Sequence, residues 1–302
     1  MGDEKPAATL VPVKLADGIT RIIAPNPSPM TYWGTNTYFV GENDLVVIDP
    51  GPALPAHLEA LLAYIGTRTV SHILVTHSHL DHSPLAAPLS QATGAQVVAF
   101  GPSQAGRSAV MQDLAQQGLV GGGEGLDHAF APDTLLADGA VLDTAAGPIT
   151  ALHTPGHIGN HMCFAWQDAI FCGDHVMGWA SSLVSPPDGD LGDFLATCDR
   201  LSGIAMGPFY PGHGDPIADP KARLSWLIKH RQGRSQQIMN AISEGPANTH
   251  QLTRLIYRDT PKALWPAAER NVLAHLIHLH QQGQIRPLGP LHKDTIFALI
   301  TG

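Results

Sequence analysis

The chain has little cysteine and no long apolar run. Its 302 residues include three cysteines, Cys163, Cys172 and Cys198, with no CxxC spacing. This argues against a disulfide framework or a cysteine zinc site, and we expect all three thiols to be buried and reduced. No stretch of about 18 apolar residues occurs, so no membrane-spanning helix is predicted. Residues 1–6 lack the apolar segment of a signal peptide, and we therefore expect a cytoplasmic protein without a membrane partner.

Aromatic and charged residues are also scarce, at 6% and 14% of the chain. Hydrophobic residues reach 44%, with 31 glycines and 25 prolines, which is a turn-rich globular composition and excludes a disordered chain or a coiled coil. The low aromatic content leaves few platforms on which nucleic-acid bases could stack. The length suits one large domain, or a main domain with a smaller one.

Charge divides the chain into two parts. Residues 1–220 contain 6 Lys and Arg against 22 Asp and Glu, a balance of −16, whereas residues 221–302 contain 11 against 4, a balance of +7. The two sum to the net charge of −9. This change of sign predicts two modules, residues 1–220 and 221–302, with different surfaces.

The first module alternates strand-like and helix-like segments, the pattern of an α/β fold. Helices are predicted at 56–64, from an N-cap at Ser83 with Pro84 as first helical residue, and at 191–202. Residues 101–127, rich in Gly and Gln, predict a short helix and a loop that is either a pocket rim or a plain surface insertion. Strands are predicted at 37–40, 45–49, 71–76, 96–100, 140–142, 149–153, 162–166, 169–172 and 206–210.

The second module has helical patterns at about 221–243, 248–257 and 263–282, followed by strands at 284–286 and 295–300. Three helices and a β-hairpin predict a small winged-helix-like α+β domain. Such a domain could bind nucleic acid, or it could cover a site or form a homodimer interface. We favour the second role because its basic residues form no dense run.

Four metal-capable side chains, His77, His79, Asp81 and His82, follow the predicted strand 71–76. Histidines two residues apart point the same way in an extended chain, whereas an adjacent Asp and His in a turn can point elsewhere. That arrangement suits two metal ions rather than one. Nitrogen and oxygen ligands without thiolate suit Zn²⁺, Fe or Mn.

Three further candidates follow strand-like runs in glycine-flanked contexts. They are His157 in T-P-G-H, Asp174 in F-C-G-D and His213 in P-G-H-G. A glycine directly before each one allows a sharp turn and a close approach of the backbone.

The series H-x-H-x-D-H, T-P-G-H, G-D and P-G-H-G, over about residues 20–220, resembles the metallo-β-lactamase superfamily. The resemblance implies a four-layer αβ/βα sandwich with a dinuclear metal site. G-T-N-T-Y at 34–38, His161-Met162 and the basic tail resemble the β-lactamase-like protein 2 subgroup. That subgroup is related to the glyoxalase II hydrolases and carries a winged-helix-like C-terminal domain.

The resemblance implies that His77, His79 and His157 hold one divalent ion, that Asp81, His82 and His213 hold a second, and that Asp174 bridges them. Asp81 and Asp174 would thus be catalytic as well as ligands. Zn²⁺ is the expected metal, although Fe and Mn fit. Ser83-Pro84 stands where many superfamily members have Gly-Gly, which should not disturb the ligands.

Three residues are candidates for supporting roles. Asp49, at a strand end, resembles an aspartate that orients a ligand histidine, but it could equally form the turn before Pro50-Gly51. His161 could contact substrate or be a partly exposed histidine at a strand start. Asn36, in the loop before the first sheet, could border the pocket. The remaining histidines, among them His128, His175 and His275, are expected to be structural or solvated.

A hydroxide between two dications would attack a carbonyl carbon or a phosphorus without a Ser or Cys nucleophile. The favoured function is hydrolysis of a thioester or ester of a small metabolite or acyl carrier. The alternative is a single-stranded RNA endonuclease whose basic tail binds phosphates. Lactonase, β-lactamase and non-hydrolytic oxidoreductase functions rank behind these two, since β-lactamases of this fold generally have Cys at the place of Asp174.

Overall fold

In a computed structural model, two β-sheets pack face to face and helices cover both outer faces. The structure describes residues 8–122, 125–204 and 206–300. Neighbouring strands of the first sheet are antiparallel from β1 to β4 and parallel from β4 to β7. This sheet contains, in order, β1 (Val13–Ala16), β2 (Ile19–Ile23), β3 (Asn36–Val40), β4 (Asp44–Ile48), β5 (Thr69–Leu74), β6 (Gln96–Ala99) and β7 (Thr134–Leu135).

The second sheet has the order β12-β11-β10-β9-β8, in which only the β11–β12 pair is parallel. Its strands are β8 (Val141–Thr144), β9 (Gly147–His153), β10 (Met162–Trp166), β11 (Ala169–Gly173) and β12 (Phe209–Pro211). The helices up to this point are α1 (Pro55–Ile65), α2 (Ala86–Thr93), α3 (Ala109–Gln116) and α4 (Leu191–Ile204).

Alternating side chains on the strands separate the layers. On β3 and β4, Phe39 and Val47 face a core shared with α1 and α2, whereas Tyr38 and Val46 face the core between the sheets. A third core lies on the outer face of the second sheet, where Phe194 of α4 packs. Full burial of each such side chain contributes about 1.5–3 kcal/mol. The predicted four-layer αβ/βα sandwich is confirmed.

The remainder of the chain forms the predicted winged-helix domain, with a core of its own around Leu252, Leu276 and Phe297. Asn248 and Gln251 form a capping box that starts α6. A three-stranded sheet has the order β13-β15-β14. The elements are α5 (Pro220–Ser243), β13 (Ala247–Asn248), α6 (Thr249–Ile256), a 3-10 helix (Lys262–Leu264), α7 (Trp265–Gln281), β14 (Ile285–Pro287) and β15 (Ile296–Leu299).

Helix α7 joins the two parts of the chain. Its side chains Leu273 and Ile277 pack against Met111 and Leu114 of α3 in one buried cluster. Apolar contacts of this kind hold the winged-helix domain beside α3, next to the site described below.

Two local predictions are wrong. Ser83 does not cap a helix: α2 begins at Ala86, and the Ser83 hydroxyl instead donates to Asp127 Oδ2 at 2.8 Å, a partner distant in sequence. The strand predicted at 206–210 begins only at Phe209, because Met206 is 90% exposed and has no sheet to pack on. The hairpin of β1 and β2 was not predicted.

The predicted absence of a disulfide framework agrees with the structure, in which Cys163, Cys172 and Cys198 are all buried and free. Within residues 8–122, 125–204 and 206–300, no helix combines the length and apolar character needed to cross a bilayer.

Candidate metal centre

Four loops, which leave the ends of β5, β9, β11 and β12, meet at one edge of the sandwich. Main-chain hydrogen bonds join these loops, among them Met162 N to Thr76 O at 2.7 Å and Gly212 N to Gly173 O at 2.8 Å. Residue 213 also pairs with Thr35 in an isolated β-bridge. The candidate ligands after β5, β9, β11 and β12 are therefore held on interlinked backbone rather than on free loops.

The three histidines predicted to hold one ion lie together. His77 Nε2 and His157 Nε2 are each 3.1 Å from His79 Nδ1. All three side chains are buried, and one nitrogen from each lies within 4.8 Å of the others. Three imidazoles converging on one point are a donor set that suits a divalent ion such as Zn²⁺.

The second cluster contains Asp81, His82, Asp174 and His213, with donor atoms within 4.8 Å of one another. His213 Nε2 lies 3.1 Å from Asp81 Oδ2 and 3.3 Å from Asp174 Oδ2. His82 Nε2 lies 3.4 Å from Asp81 Oδ2 and 3.3 Å from Asp174 Oδ1. The structure thus brings all seven predicted ligands to two adjacent points.

Asp174 lies between the clusters, since its Oδ2 is also 3.9 Å from His157 Nε2. Gly212 makes this approach possible: a Cβ at residue 212 would lie 2.2 Å from Asp174 Oδ1 and 2.7 Å from His82 Cε1. Close packing of backbone against the carboxylate explains why a glycine precedes His213.

The outward nitrogens of four histidines have fixed partners. His82 Nδ1 lies 2.9 Å from Asp49 Oδ2, and His77 Nδ1 lies 3.0 Å from Thr76 Oγ1. His157 Nδ1 and His213 Nδ1 lie 2.7 and 3.2 Å from the carbonyl oxygens of Leu183 and Gly34. A carbonyl or carboxylate partner accepts from Nδ1–H and so directs Nε2 toward the cluster, where it can donate a lone pair to a cation once any proton on it is lost.

The electrostatics of the two clusters differ. Burial, and next the neighbouring His82, holds the pKa of His77 well below its usual range, and burial lowers the pKa of His79 to about 3. Burial also opposes the charge of His213, but the carboxylates of Asp174 and Asp81 outweigh it and raise its pKa to about 10. The first cluster offers neutral imidazoles, whereas the second holds protons that a cation would displace.

The residues fit a pair of divalent ions. Among the described residues, four buried donor atoms of the second cluster, Asp81 Oδ1, His82 Nε2, Asp174 Oδ1 and His213 Nε2, have no hydrogen-bond partner outside the cluster. Unpaired buried polar atoms are rare and costly unless a ligand satisfies them. Imidazole and carboxylate ligands match Zn²⁺, Fe or Mn, and the arrangement forms a candidate dinuclear site.

The structure agrees with some of the predictions for the three supporting residues and differs from others. Asp49 is buried and hydrogen-bonded to His82, as predicted, although its φ of +53° shows that it also shapes the turn. His161 is fully buried, its Nδ1 2.8 Å from Thr154 Oγ1, so the partly exposed alternative is wrong. Asn36 is the buried first residue of β3, not a loop residue, and its amide donates to the carbonyls of Pro211 and Gly214, which positions the His213 turn.

A cavity of about 310 Å³ opens beside His79, lined by residues that motif analysis missed. The 101–127 segment borders it, as the pocket-rim alternative predicted. Arg107 lies in its wall, paired with Asp188 at 2.5 Å. His128, assigned no role from sequence, also lines it; no spacing signal distinguishes it from other histidines. The lining is His79, Gln104, Arg107, Ala115, Leu119, Val120, Gly121, Gly122, Gly125, Leu126, His128, Pro187 and Asp188.

Comparison with known families covers both parts of the chain. Residues 30–224 match the model of the metallo-beta-lactamase superfamily, and residues 249–290 match the beta-lactamase associated winged helix domain. A Drosophila melanogaster protein described as beta-lactamase-like protein 2 homolog is 30% identical over 287 residues, 90% of this chain and 91% of that protein. The lactamase-like protein aptB of Emericella nidulans is 29% identical, covering 82% of this chain and 72% of its own.

Two solved structures are similar to this chain over nearly its whole length. A metallo-beta-lactamase family protein from Thermus thermophilus has a TM-score of 0.76 at 25% identity, covering 95% of this chain and 100% of that one. A beta-lactamase domain protein from Burkholderia ambifaria has a TM-score of 0.79 at 20% identity, covering 99% and 96%. At 20% identity, the similarity to the Burkholderia ambifaria protein shows a shared fold only.

Proposed function

This chain belongs to the metallo-β-lactamase superfamily and is a metal-dependent hydrolase; we propose that it hydrolyses a thioester or ester of a small metabolite or acyl carrier. The observation that carries the proposal is the convergence of seven buried side chains beside a cavity. Among the described residues, four of their donor atoms have no hydrogen-bond partner outside the cluster.

Each ligand has a defined part in this proposal. His77, His79 and His157 would hold one divalent ion, Asp81, His82 and His213 the other, and Asp174 both. Divalent ions held by these residues, by ligand type preferably Zn²⁺, would supply hydroxide near neutral pH and polarise a carbonyl group. Asp49 would hold the ring of His82 in place, and Asn36 the turn that carries His213.

The cavity supports a carbonyl substrate better than a phosphodiester. Arg107 is the one arginine among its described lining residues, and the carboxylate of Asp188 already neutralises it. Phosphate recognition relies on free cationic donors, usually arginine or lysine. A cavity of about 310 Å³ with Leu119, Val120 and Leu126 in its wall suits an acyl group instead.

The basic residues of the second module, 221–302, also favour hydrolysis of a carbonyl substrate over RNA cleavage. Arg223 donates to the carbonyls of Met177 and Ala180, and Arg270 to those of Val120 and Gly121. These guanidinium groups contact the hydrolase part of the chain instead of forming an outward phosphate track. The winged-helix domain would then cover the cavity rim.

The test is a substrate panel on purified protein loaded with Zn²⁺, Mn²⁺ or Fe²⁺. Acyl thioesters, aryl esters, lactones, a chromogenic β-lactam and labelled single-stranded RNA are compared with a His77→Ala control. We expect turnover of thioesters or esters that disappears in the variant. If folded, metal-loaded protein hydrolyses neither thioesters nor esters, the proposal is refuted. If the protein cleaves RNA and His77→Ala does not, the alternative function replaces the proposal.

A further inference from the structure

The segment 174–190 lies beside the metal centre without regular secondary structure. Its residues 182–190 are nonetheless all buried. Backbone N–H and C=O groups buried outside helices and sheets need partners from elsewhere in the chain. Two side chains of the winged-helix domain, Arg231 of α5 and Asn271 of α7, supply them at one place.

Arg231 is among the largest fully buried side chains, with 2% of its surface exposed. Its Nη2 donates to the carbonyl oxygen of Ser182, and its Nη1 donates to Asn271 Oδ1 at 3.0 Å. The guanidinium carbon lies 5.1 Å from the ring centre of Phe194. In the described part of the chain no carboxylate forms an ion pair with it, so a costly buried cation is held by neutral acceptors.

Asn271 completes the contact from the other side. Its Oδ1 accepts from the main-chain N–H of Val184 at 3.2 Å as well as from Arg231. The two residues that flank Leu183 are therefore both anchored to the winged-helix domain. The Leu183 carbonyl between them is the oxygen that lies 2.7 Å from His157 Nδ1.

We propose that Arg231 and Asn271 are positioning residues for the ion held by His77, His79 and His157. They fix the Leu183 carbonyl, and that carbonyl fixes the ring orientation and the tautomer of His157. Outer partners of this kind affect metal affinity although they touch no metal. The inference rests on the proposed function, because it requires the metal centre, and it makes the winged-helix domain part of that centre.

Three variants test whether the hydrogen bonds of Asn271 and Arg231, and not the packing of their side chains, determine metal affinity. Asn271→Ala removes the oxygen that holds Val184 N–H, and we expect about 10–100-fold weaker binding of one metal ion of the two. Asn271→Asp keeps an acceptor at the same place, so we expect affinity close to that of the wild type. Arg231→Lys loses the two-pronged geometry and should weaken the same ion.

The matched controls, Asn240 and Arg234, both lie on α5. Asn240→Ala removes an exposed amide of α5, and Arg234→Lys alters an arginine whose recorded partners, Gln237 and Tyr257, both lie in the tail. Neither substitution should change the affinity of the chain for either metal ion. Circular dichroism and thermal melting of the metal-free proteins establish that each variant is folded.

The readout is a Zn²⁺ titration of the full chain against a chromophoric chelator, which resolves stoichiometry and both affinities without any substrate. In a His157→Ala background, Asn271→Ala should have no further effect on the remaining ion. The inference would be overturned if the folded variants Asn271→Ala and Arg231→Lys bound both ions with wild-type affinity. It would also be overturned if these variants bound the two ions with equally reduced affinity. A wild-type chain that binds no metal would instead refute the proposed function itself.

Discussion

The carboxylate of Asp49 lies 2.9 Å from His82 Nδ1 and joins the ends of two adjacent strands. Its Oδ1 accepts the main-chain N–H of Thr76 at 2.7 Å, and its Oδ2 accepts the Thr76 hydroxyl at 2.7 Å. The same Thr76 hydroxyl lies 3.0 Å from His77 Nδ1. One buried carboxylate therefore orients a histidine of each cluster, directly in one case and through Thr76 in the other.

Asp49→Asn should weaken both stability and metal binding. Asparagine tolerates the left-handed φ of +53°, so the backbone is kept, but its NH2 group would face His82 Nδ1–H. We expect a loss of about 2–3 kcal/mol in the free energy of unfolding in urea. Zn²⁺ affinity should fall about 10–100-fold in a chelator competition.

Asp133→Asn is the matched control, because Asp133 Oδ2 accepts the main-chain N–H of Val97 at 2.8 Å away from the metal centre. It should reduce stability while leaving metal affinity unchanged. If Asp49→Asn affected stability alone in the same way, Asp49 would be a turn residue and not a positioning residue.

Metal uptake should release protons at neutral pH. Burial opposes protonation of His82 and His213, but the carboxylates of Asp81 and Asp174 outweigh it and raise both pKa values. A cation must displace those protons, so the apparent affinity should rise as pH rises from 6 toward 8. A pH indicator in weakly buffered solution should show release of up to about two protons per chain.

His213→Ala should release fewer protons than the wild type, since one of the two raised groups is gone. Binding of both ions with no proton release and no dependence on pH would contradict this account of the second cluster.

Gly212→Ala should damage the metal centre through sterics alone. The new methyl group would lie 2.2 Å from Asp174 Oδ1, far inside contact distance, so the carboxylate or the 211–214 turn must move. We expect loss of the second ion and of turnover, measured by metal analysis and by hydrolysis of the best substrate of the panel.

Gly233→Ala is its control. Residue 233 lies inside α5, where an added Cβ would meet no described atom within 4 Å outside the adjoining backbone of the helix. We expect unchanged metal content and a gain of up to about 1 kcal/mol in stability from helix propensity. Metal content in Gly212→Ala equal to that in Gly233→Ala would show that the close approach at residue 212 is dispensable.

The donor residues of the site were predictable from sequence because they lie in short runs at strand ends. A strand followed by H-x-H-x-D-H has few ways to place its side chains, and glycines before His157 and His213 indicate tight turns. The apolar runs of β3 and β4 similarly predicted two strands, whereas the four-layer arrangement followed from the family resemblance. Local spacing is sufficient where a feature depends on neighbours along the chain.

Features that depend on distant partners were not predictable in the same way. The Leu183 carbonyl has no signature in the residue type, since every residue carries such an oxygen. Ser83 has a good helix-cap sequence, yet Asp127, 44 residues away, takes its hydroxyl. His161 was ambiguous because its burial depends on how β10 packs against the metal loops.

The measurement that tests the central claim most directly is the metal stoichiometry of the purified chain, determined together with thioester hydrolysis in the same samples. We predict two divalent ions per wild-type chain, and about one in His77→Ala and in His213→Ala. Hydrolysis should be absent after chelation and restored by Zn²⁺ or Mn²⁺. A folded wild-type chain that binds fewer than one ion after loading, or that hydrolyses thioesters equally well without metal, would contradict the account.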